Sequence, residues 1–221
     1  MSLIYETPGR NAQEILIVGI GYRVDPDRLR GLVEWGAWRT RDLTPVRREE
    51  AEQSMGRNLA SIPKVETPEV QTGGAQAFLR CISEEVIPFV ERNYRVYPTG
   101  RGLAGYSFGG LFALYALFQA PDTFTRMFCG SPSMWEDLFG YEKAYASRHD
   151  DLKASLLLTA GSHETETVER VTRMTERLGS RGYPGLEIQA HIFEDEGHVS
   201  AGAAAISRAL SVLYYQDSAN G

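Results

Sequence analysis

Apolar positions along this chain repeat with two periods, short continuous runs and three- or four-residue spacing, and the two alternate. Ile15-Leu16-Ile17-Val18 is a continuous run closed by Gly19 and Gly21, which predicts a buried parallel strand. Leu3-Ile4-Tyr5 is the one other strand candidate before it. From Tyr22 to Gly74 the pattern is irregular and broken at Asp25-Pro26, Thr44-Pro45, Ile62-Pro63 and Thr67-Pro68. So long a segment without strong elements is expected to serve function rather than core. Helical spacing begins at Ala75 and runs to Glu91 through Phe78, Leu79, Ile82, Val86 and Val90, with Pro88 predicting a kink or an early end. Gly102-Leu103-Ala104 predicts a short strand, followed at once by a helix through Leu111, Phe112, Leu114, Tyr115, Leu117 and Phe118 that stops before Pro121. Met127-Phe128-Cys129 and Leu156-Leu157-Leu158 are further strands. A charged amphipathic helix spans Glu164 to Leu178, with Val168, Val171, Met174 and Leu178 on one face. Leu186 to Phe193 alternates as a strand, and Ala201 to Tyr215 closes as a helix. Strands alternating with helices predict the α/β class, a mostly parallel sheet with helices on both faces. With no internal repeat or low-complexity linker, residues 1–221 are read as one domain.

Composition narrows the function classes. At 221 residues, 43% of them hydrophobic, the chain can bury a core without disulfides or metals. A formal net charge of −6 argues against nucleic acid as a partner, because phosphate binding needs a concentrated basic face. The basic pair Arg47-Arg48 is followed by Glu49-Glu50 and reads as a solvated helical surface. No apolar run approaches the ~20 residues of a membrane span, so no membrane partner is expected. Met1 to Arg10 lacks the basic and apolar regions of a signal peptide, so a cytoplasmic location is expected unless a trimmed N-terminus has lost an export signal. Cys81 and Cys129 both lie in apolar patterns and read as buried free thiols.

Candidate chemistry centres on Gly105-Tyr106-Ser107-Phe108-Gly109, a G-x-S-x-G pattern with a predicted strand before it and a helix after it. In a nucleophile elbow the serine occupies a strained strand-to-helix turn, and its hydroxyl projects from the top of the sheet. Glycines two residues either side are expected to relieve the clash between strand and helix. The helix N-terminus beneath it favours a developing oxyanion.

A serine hydroxyl attacks only when an imidazole takes its proton. Of His149, His163, His191 and His198, only His198 follows the last predicted strand, where the chain order serine, acid, histidine would place the base. The acid belongs after the preceding strand, where Glu164 and Glu166 both qualify and Glu164 stands nearer the strand end. No ligand cluster of metal-site spacing appears, and no cofactor is implied.

On these residues the chain resembles the putative-esterase family of α/β-hydrolases, which includes siderophore (enterobactin and salmochelin) esterases, feruloyl esterases, S-formylglutathione hydrolase and mycolyltransferases. The resemblance runs from about Ile15 to Ser200. It rests on Ile17 to Tyr22, Arg39 to Pro45, Gly73-Gly74-Ala75 with Phe78-Leu79, Glu85 to Val90, Gly105 to Leu114 and Ser131 to Trp135. The siderophore-esterase branch looks most similar, through Gly21-Tyr22 and the Arg39 to Pro45 stretch. The resemblance implies Ser107 as nucleophile, His198 as base, Glu164 as acid, and the Phe108 N–H as an oxyanion donor. It also implies that Arg39 and Trp135 line a substrate cleft, against the plainer readings of an exposed ion-pair arginine and a core tryptophan. A strand with a Leu-Asp-Gly-like turn, usual in the family, has no counterpart, so the chain looks shortened at its N-terminus, and the second oxyanion donor is expected to be either missing or supplied by the Ile20 to Tyr22 loop. The expected activity is hydrolysis of a small-molecule carboxylic ester, siderophore-like or aromatic, through an acyl-enzyme. The alternatives are acyl transfer by the same triad, or a shortened non-catalytic relative that binds a ligand or forms a homo-oligomer through its exposed sheet edge.

Overall fold

The computed structural model describes residues 10–12 and 14–217. In chain order the elements begin with strand β1 (Arg10–Ala12) and helices α1 (Arg28–Asp42), α2 (Glu49–Ala60) and α3 (Ala75–Cys81). A π-helical turn, Ile82–Val86, leads into α4 (Ile87–Asn93). There follow β2 (Gly102–Tyr106), α5 (Phe108–Gln119), β3 (Arg126–Gly130), α6 (Asp137–Ala146) and β4 (Ala154–Gly161). The described chain ends with α7 (Thr165–Arg181), β5 (Leu186–Phe193), α8 (Ala201–Tyr214) and β6 (Tyr215–Asp217).

Strands β2, β3, β4 and β5 form one parallel sheet in that order. Successive side chains of a strand point to opposite faces, and the core divides accordingly. Met127, Cys129, Leu156 and Leu158 pack with α5 and α7 on one face, while Phe128 and Leu157 pack with Ala205, Ala209 and Leu213 of α8 on the other. The expected sheet with helices on both faces is what the chain builds. Leu156, Leu157 and Leu158 are at most 1% exposed, and truncating such a residue to alanine costs about 2–5 kcal/mol. Across the α6–α7 contact the fully buried Glu142 carboxylate accepts from Arg181 at 2.7 and 3.2 Å, so its charge is paired rather than stranded.

Two expectations fail. Ile15 to Val18 forms no strand; it runs without ladder pairing, with Ile17 75% exposed. Its residues suit a strand, but strand propensity yields structure only beside a partner edge, and no described strand pairs with it. Leu3-Ile4-Tyr5 lies outside the described residues. The stretch from Tyr22 to Gly74 is not irregular, since it contains α1 and α2. Their contact is built from small residues: a Cβ on Gly36 would lie 2.8 Å from Leu59 Cδ2, and Val33, Ala37, Leu59 and Val70 form a separate small core. A buried face of Gly31, Val33, Gly36, Ala37 and Thr40 carries little of the large-residue periodicity by which helices are recognised. The helix is capped by Asp27, whose side chain accepts from the N–H groups of Leu29 and Arg30. At Pro88 the helix neither ends nor is lost. Proline removes the N–H that would bond one turn back, and the π-helical turn just before α4 widens the register there.

Candidate active site

Gly105 to Gly109 forms the turn from β2 into α5, with Ser107 at φ 61° and ψ −120°. A non-glycine residue at positive φ costs of order 1–3 kcal/mol, and such strain collects at functional sites. Here the turn is fastened on three sides. Ser107 N–H donates to Gly130 O at 2.9 Å, while Ser107 O accepts from Leu111 N at 3.0 Å and from Ser133 N at 3.1 Å. A Cβ on Gly105 would fall 2.0 Å from Gly109 O, and one on Gly110 would fall 2.9 Å from Gly130 O. Gly109 itself has open space at its Cβ position, so the crowding that selects glycine is at Gly105 and Gly110, not symmetrically about the serine. Phe108 opens α5, and its N–H belongs to the first turn, which has no intrahelical acceptor.

His198 lies in the loop after β5 and Glu164 just before α7, at the ends of adjacent parallel strands. His198 Nδ1 and Glu164 Oε1 are 2.6 Å apart. The other carboxylate oxygen, Oε2, accepts from Gly161 N at 2.9 Å and Ser131 Oγ at 2.7 Å. Burial disfavours the Glu164 charge, but the Gly161 N–H, His198 and Ser131 outweigh it and hold the carboxyl below the usual carboxylate range. A Cβ on Gly161 would meet Glu196 O at 2.4 Å, which is why glycine stands where the histidine loop crosses β4. His163 N–H donates to Glu196 O at 3.0 Å, fastening that crossing.

The structure thus brings Glu164 and His198 together, whereas Glu166 is an exposed residue paired with Arg170. Tyr106, the neighbour of Ser107, donates its hydroxyl to His198 O at 2.8 Å and lies with its ring 5.4 Å from the imidazole. The Ser107 hydroxyl rests 3.3 Å from Ser133 Oγ. Among the described residues no hydrogen bond joins the Ser107 hydroxyl to His198. Among the other histidines, His149 stacks on Tyr145, His163 is exposed, and His191 lies in β5 against Phe193. Cys129 is buried, which pushes its thiol pKa up, whereas Cys81 is only half-buried; both are free.

Arg39 is not an exposed ion-pair residue. Its guanidinium donates to Tyr106 O at 3.1 Å and lies over the rings of Trp35 (5.3 Å) and Phe108 (5.4 Å). Burial lowers its pKa, although an arginine remains charged. Trp135 is half-buried, edge-on to Phe108 at 6.3 Å, with the Arg48 guanidinium over its ring at 5.1 Å. Arg48 in turn pairs with Asp137, so the Arg47-Arg48 pair is not wholly a solvated surface. Ile20 is 46% exposed, and among the described residues no hydrogen bond ties it to Ser107 or Phe108. Reading the sequence missed Tyr106, Ser131, Ser133 and Arg48. The serines stood in the Ser131 to Trp135 motif, and Tyr106 inside the elbow. No group of three or more His, Cys, Asp or Glu side chains able to hold a metal occurs among the described residues, and no helix there is long and apolar enough to cross a membrane.

The family profile described as Putative esterase matches residues 43–194. The ferri-bacillibactin esterase BesA of Bacillus subtilis is 31% identical over 154 residues, covering 66% of this chain and 53% of that protein. The siderophore triacetylfusarinine C esterase of Aspergillus fumigatus is 26% identical, over 90% of this chain and 70% of its own. Among solved structures, the BES protein of Bacillus cereus superposes with a TM-score of 0.66 at 26% identity, covering 82% of this chain and 65% of that one. The siderophore hydrolase EstA of Aspergillus nidulans gives 0.58 at 28% identity, with 79% and 65% covered. The chain therefore spans only about half of the BesA esterase and about two thirds of the two solved chains. With the profile spanning well over half of the sequence and the parallel sheet in place, the chain is an α/β-hydrolase belonging to the putative-esterase family.

Proposed function

We propose that this protein hydrolyses a carboxylic ester through an acyl-enzyme on Ser107. The observation that carries the reading is the Glu164–His198 pair, fastened by the His198 carbonyl to Tyr106, the residue adjoining the elbow serine. His198 Nε2 removes the Ser107 proton as Oγ attacks the ester carbonyl. Glu164 holds the Nδ1–H tautomer and balances the imidazolium. The tetrahedral oxyanion lies against the Phe108 N–H at the start of α5, with the Ile20 region as the candidate source of a second donor. His198 then gives its proton to the departing alcohol. Water, deprotonated by the same imidazole, attacks the acyl carbonyl and releases the acid together with Ser107.

The relatives from Aspergillus fumigatus and Aspergillus nidulans are named as a siderophore esterase and a siderophore hydrolase, and the rings of Trp35, Phe108 and Trp135 with the guanidinium groups of Arg39 and Arg48 suit an aromatic ester bearing negative charge. The unpaired cysteines suit a reducing, cytoplasmic setting. The deciding experiment is hydrolysis of short and aromatic p-nitrophenyl esters by the wild type and by Ser107→Ala. Turnover abolished by the substitution supports the reading; equal turnover in both, or none in either, refutes it. Product analysis with an added alcohol separates hydrolysis from acyl transfer.

A second reading, self-association, is favoured by the exposed run Ile15, Leu16, Ile17, Val18 and Ile20 and by the unpaired outer edge of β2 among the described strands. Concentration-dependent sedimentation supports it, and a monomer at high concentration overturns it.

A further inference from the structure

A closed ring of polar contacts links the Glu164–His198 pair to two residues outside the proposed triad, Tyr106 and Ser131. It runs from Tyr106 Oη to His198 O (2.8 Å), from Tyr106 Oη to Ser131 Oγ (2.9 Å), from Ser131 Oγ to Glu164 Oε2 (2.7 Å), and from Glu164 Oε1 back to His198 Nδ1 (2.6 Å). The backbone is shaped to admit it. Ser131 is a fully buried non-glycine residue at φ 35°, held by its N–H to Thr159 O at 2.8 Å. Gly130 lets the Tyr106 ring lie across β3, since a Cβ there would sit 2.5 Å from Tyr106 Cδ2. Three residues from three different strand ends thus converge on one histidine.

We propose that Tyr106 and Ser131 are positioning residues for the His198–Glu164 pair, a role that rests on the esterase reading above. Counting hydrogens shows how they work together. With Glu164 ionised, the carbonyl and carboxylate oxygens only accept, so two hydroxyl hydrogens serve three contacts. The Ser131 hydrogen is committed to the charged carboxylate, the stronger acceptor. The Tyr106 hydrogen divides between the His198 carbonyl, which fixes the histidine loop, and Ser131 Oγ, which strengthens the Ser131 bond to Glu164. Tyr106 thus holds the base through its backbone and the acid through Ser131, without touching the reacting atoms.

The test uses Tyr106→Phe, which keeps the ring and removes the hydroxyl, Ser131→Ala, the double variant, and Tyr97→Phe as an exposed control. Kinetics are read as kcat against KM. The His198 Nδ1–H proton is read as a low-field NMR resonance, assigned by its loss in His198→Ala. Tyr106→Phe is expected to lower kcat on the order of 10- to 100-fold, as a modest misplacement of a catalytic group does, with KM little changed. The low-field resonance broadens by exchange in Tyr106→Phe and stays sharp in Tyr97→Phe. In the double variant the loss is smaller than the product of the single losses, because both side chains act through one chain of contacts. A sharp resonance with wild-type kcat in Tyr106→Phe, or losses that simply multiply, overturns the proposal. The resonance is independent of turnover. Should the wild type cleave no ester, its broadening in Tyr106→Phe still supports the positioning role, and its persistence still refutes it.

Discussion

His198 Nδ1 and Glu164 Oε1 are 2.6 Å apart, while the far oxygen of the same carboxylate takes two further donors, the Gly161 N–H and the Ser131 hydroxyl. The carboxylate is therefore anchored on one side and free to orient the imidazole with the other. A carboxylate so held both fixes the tautomer and stays ionised, as a base-assisted serine nucleophile requires.

Glu164→Gln removes the charge but keeps the shape. The amide can present its N–H to Nδ1 and so favour the wrong tautomer, a change that costs up to about 10⁴-fold in a serine protease triad. A fall in kcat on the order of 10²- to 10⁴-fold is expected here, measured on the same p-nitrophenyl esters. Glu166→Gln, which loses only an exposed pair with Arg170, is expected to stay within about twofold, since exposed pairs contribute ~0–1 kcal/mol.

The same carboxylate links stability to pH. Its native pKa is depressed, so its contribution is complete above the unfolded value of about 4.3 and is lost as pH falls through the lower native value. Thermal unfolding followed from pH 6 down to pH 3 should show a steeper fall in Tm for the wild type than for Glu164→Gln. Parallel curves would mean that the contacts to Gly161, Ser131 and His198 do not hold the charge in solution.

Arg39 is expected to act on binding rather than on chemistry. Its guanidinium bonds the backbone of Tyr106 and covers one face of Phe108, close to where an acyl group would approach Ser107. Arg39→Ala should raise KM about 10-fold for a negatively charged aromatic ester, equivalent to ~1.4 kcal/mol, and leave KM for p-nitrophenyl acetate nearly unchanged. An equal change for both esters would mean that the arginine shapes the elbow and does not read charge.

What the sequence disclosed, and what it withheld, follows from how each element is encoded. β3 and β4 were legible as short apolar runs buried on both faces, whereas the half-exposed β2 and β5 were legible from the turn that follows Gly102-Leu103-Ala104 and from the alternation of Leu186 to Phe193. The elbow at Ser107 and the meeting of Glu164 with His198 were legible because chain order constrains them: elbow, then the end of one strand, then the end of the next. Helix α1 was hidden because its buried face is made of Gly31, Gly36, Ala37 and Thr40, where close approach replaces bulk. Ile15 to Val18 misled because composition records how well residues suit a strand, not whether a neighbouring edge exists. Tyr106 and Ser131 escaped because hydroxyl bridges between strand ends leave no periodic trace; only the fold brings positions 106, 131, 164 and 198 to one point.

Gly161 offers a test of how closely the site depends on backbone approach. It ends β4, its N–H donates to Glu164, and its missing side chain is what lets Glu196 and Gly197 cross above it. An added Cβ would sit 2.4 Å from Glu196 O, 2.7 Å from Glu196 C and 3.1 Å from Gly197 N. All three are backbone atoms, so no side-chain rotation relieves the clash, and the loop carrying His198 has to lift. Gly161→Ala is therefore expected to cost about 1–3 kcal/mol of stability, as overpacking does. It should also lower kcat more than any other glycine substitution outside the elbow, because the displaced loop separates His198 from Glu164. Gly179→Ala supplies the contrast: it lies within α7 with open space at its Cβ position, and should gain up to about 1 kcal/mol from helix propensity with activity intact. Thermal melts and ester kinetics on the two variants separate the outcomes. Wild-type turnover in Gly161→Ala would show that the histidine loop reaches Ser107 by a path other than the close crossing over β4.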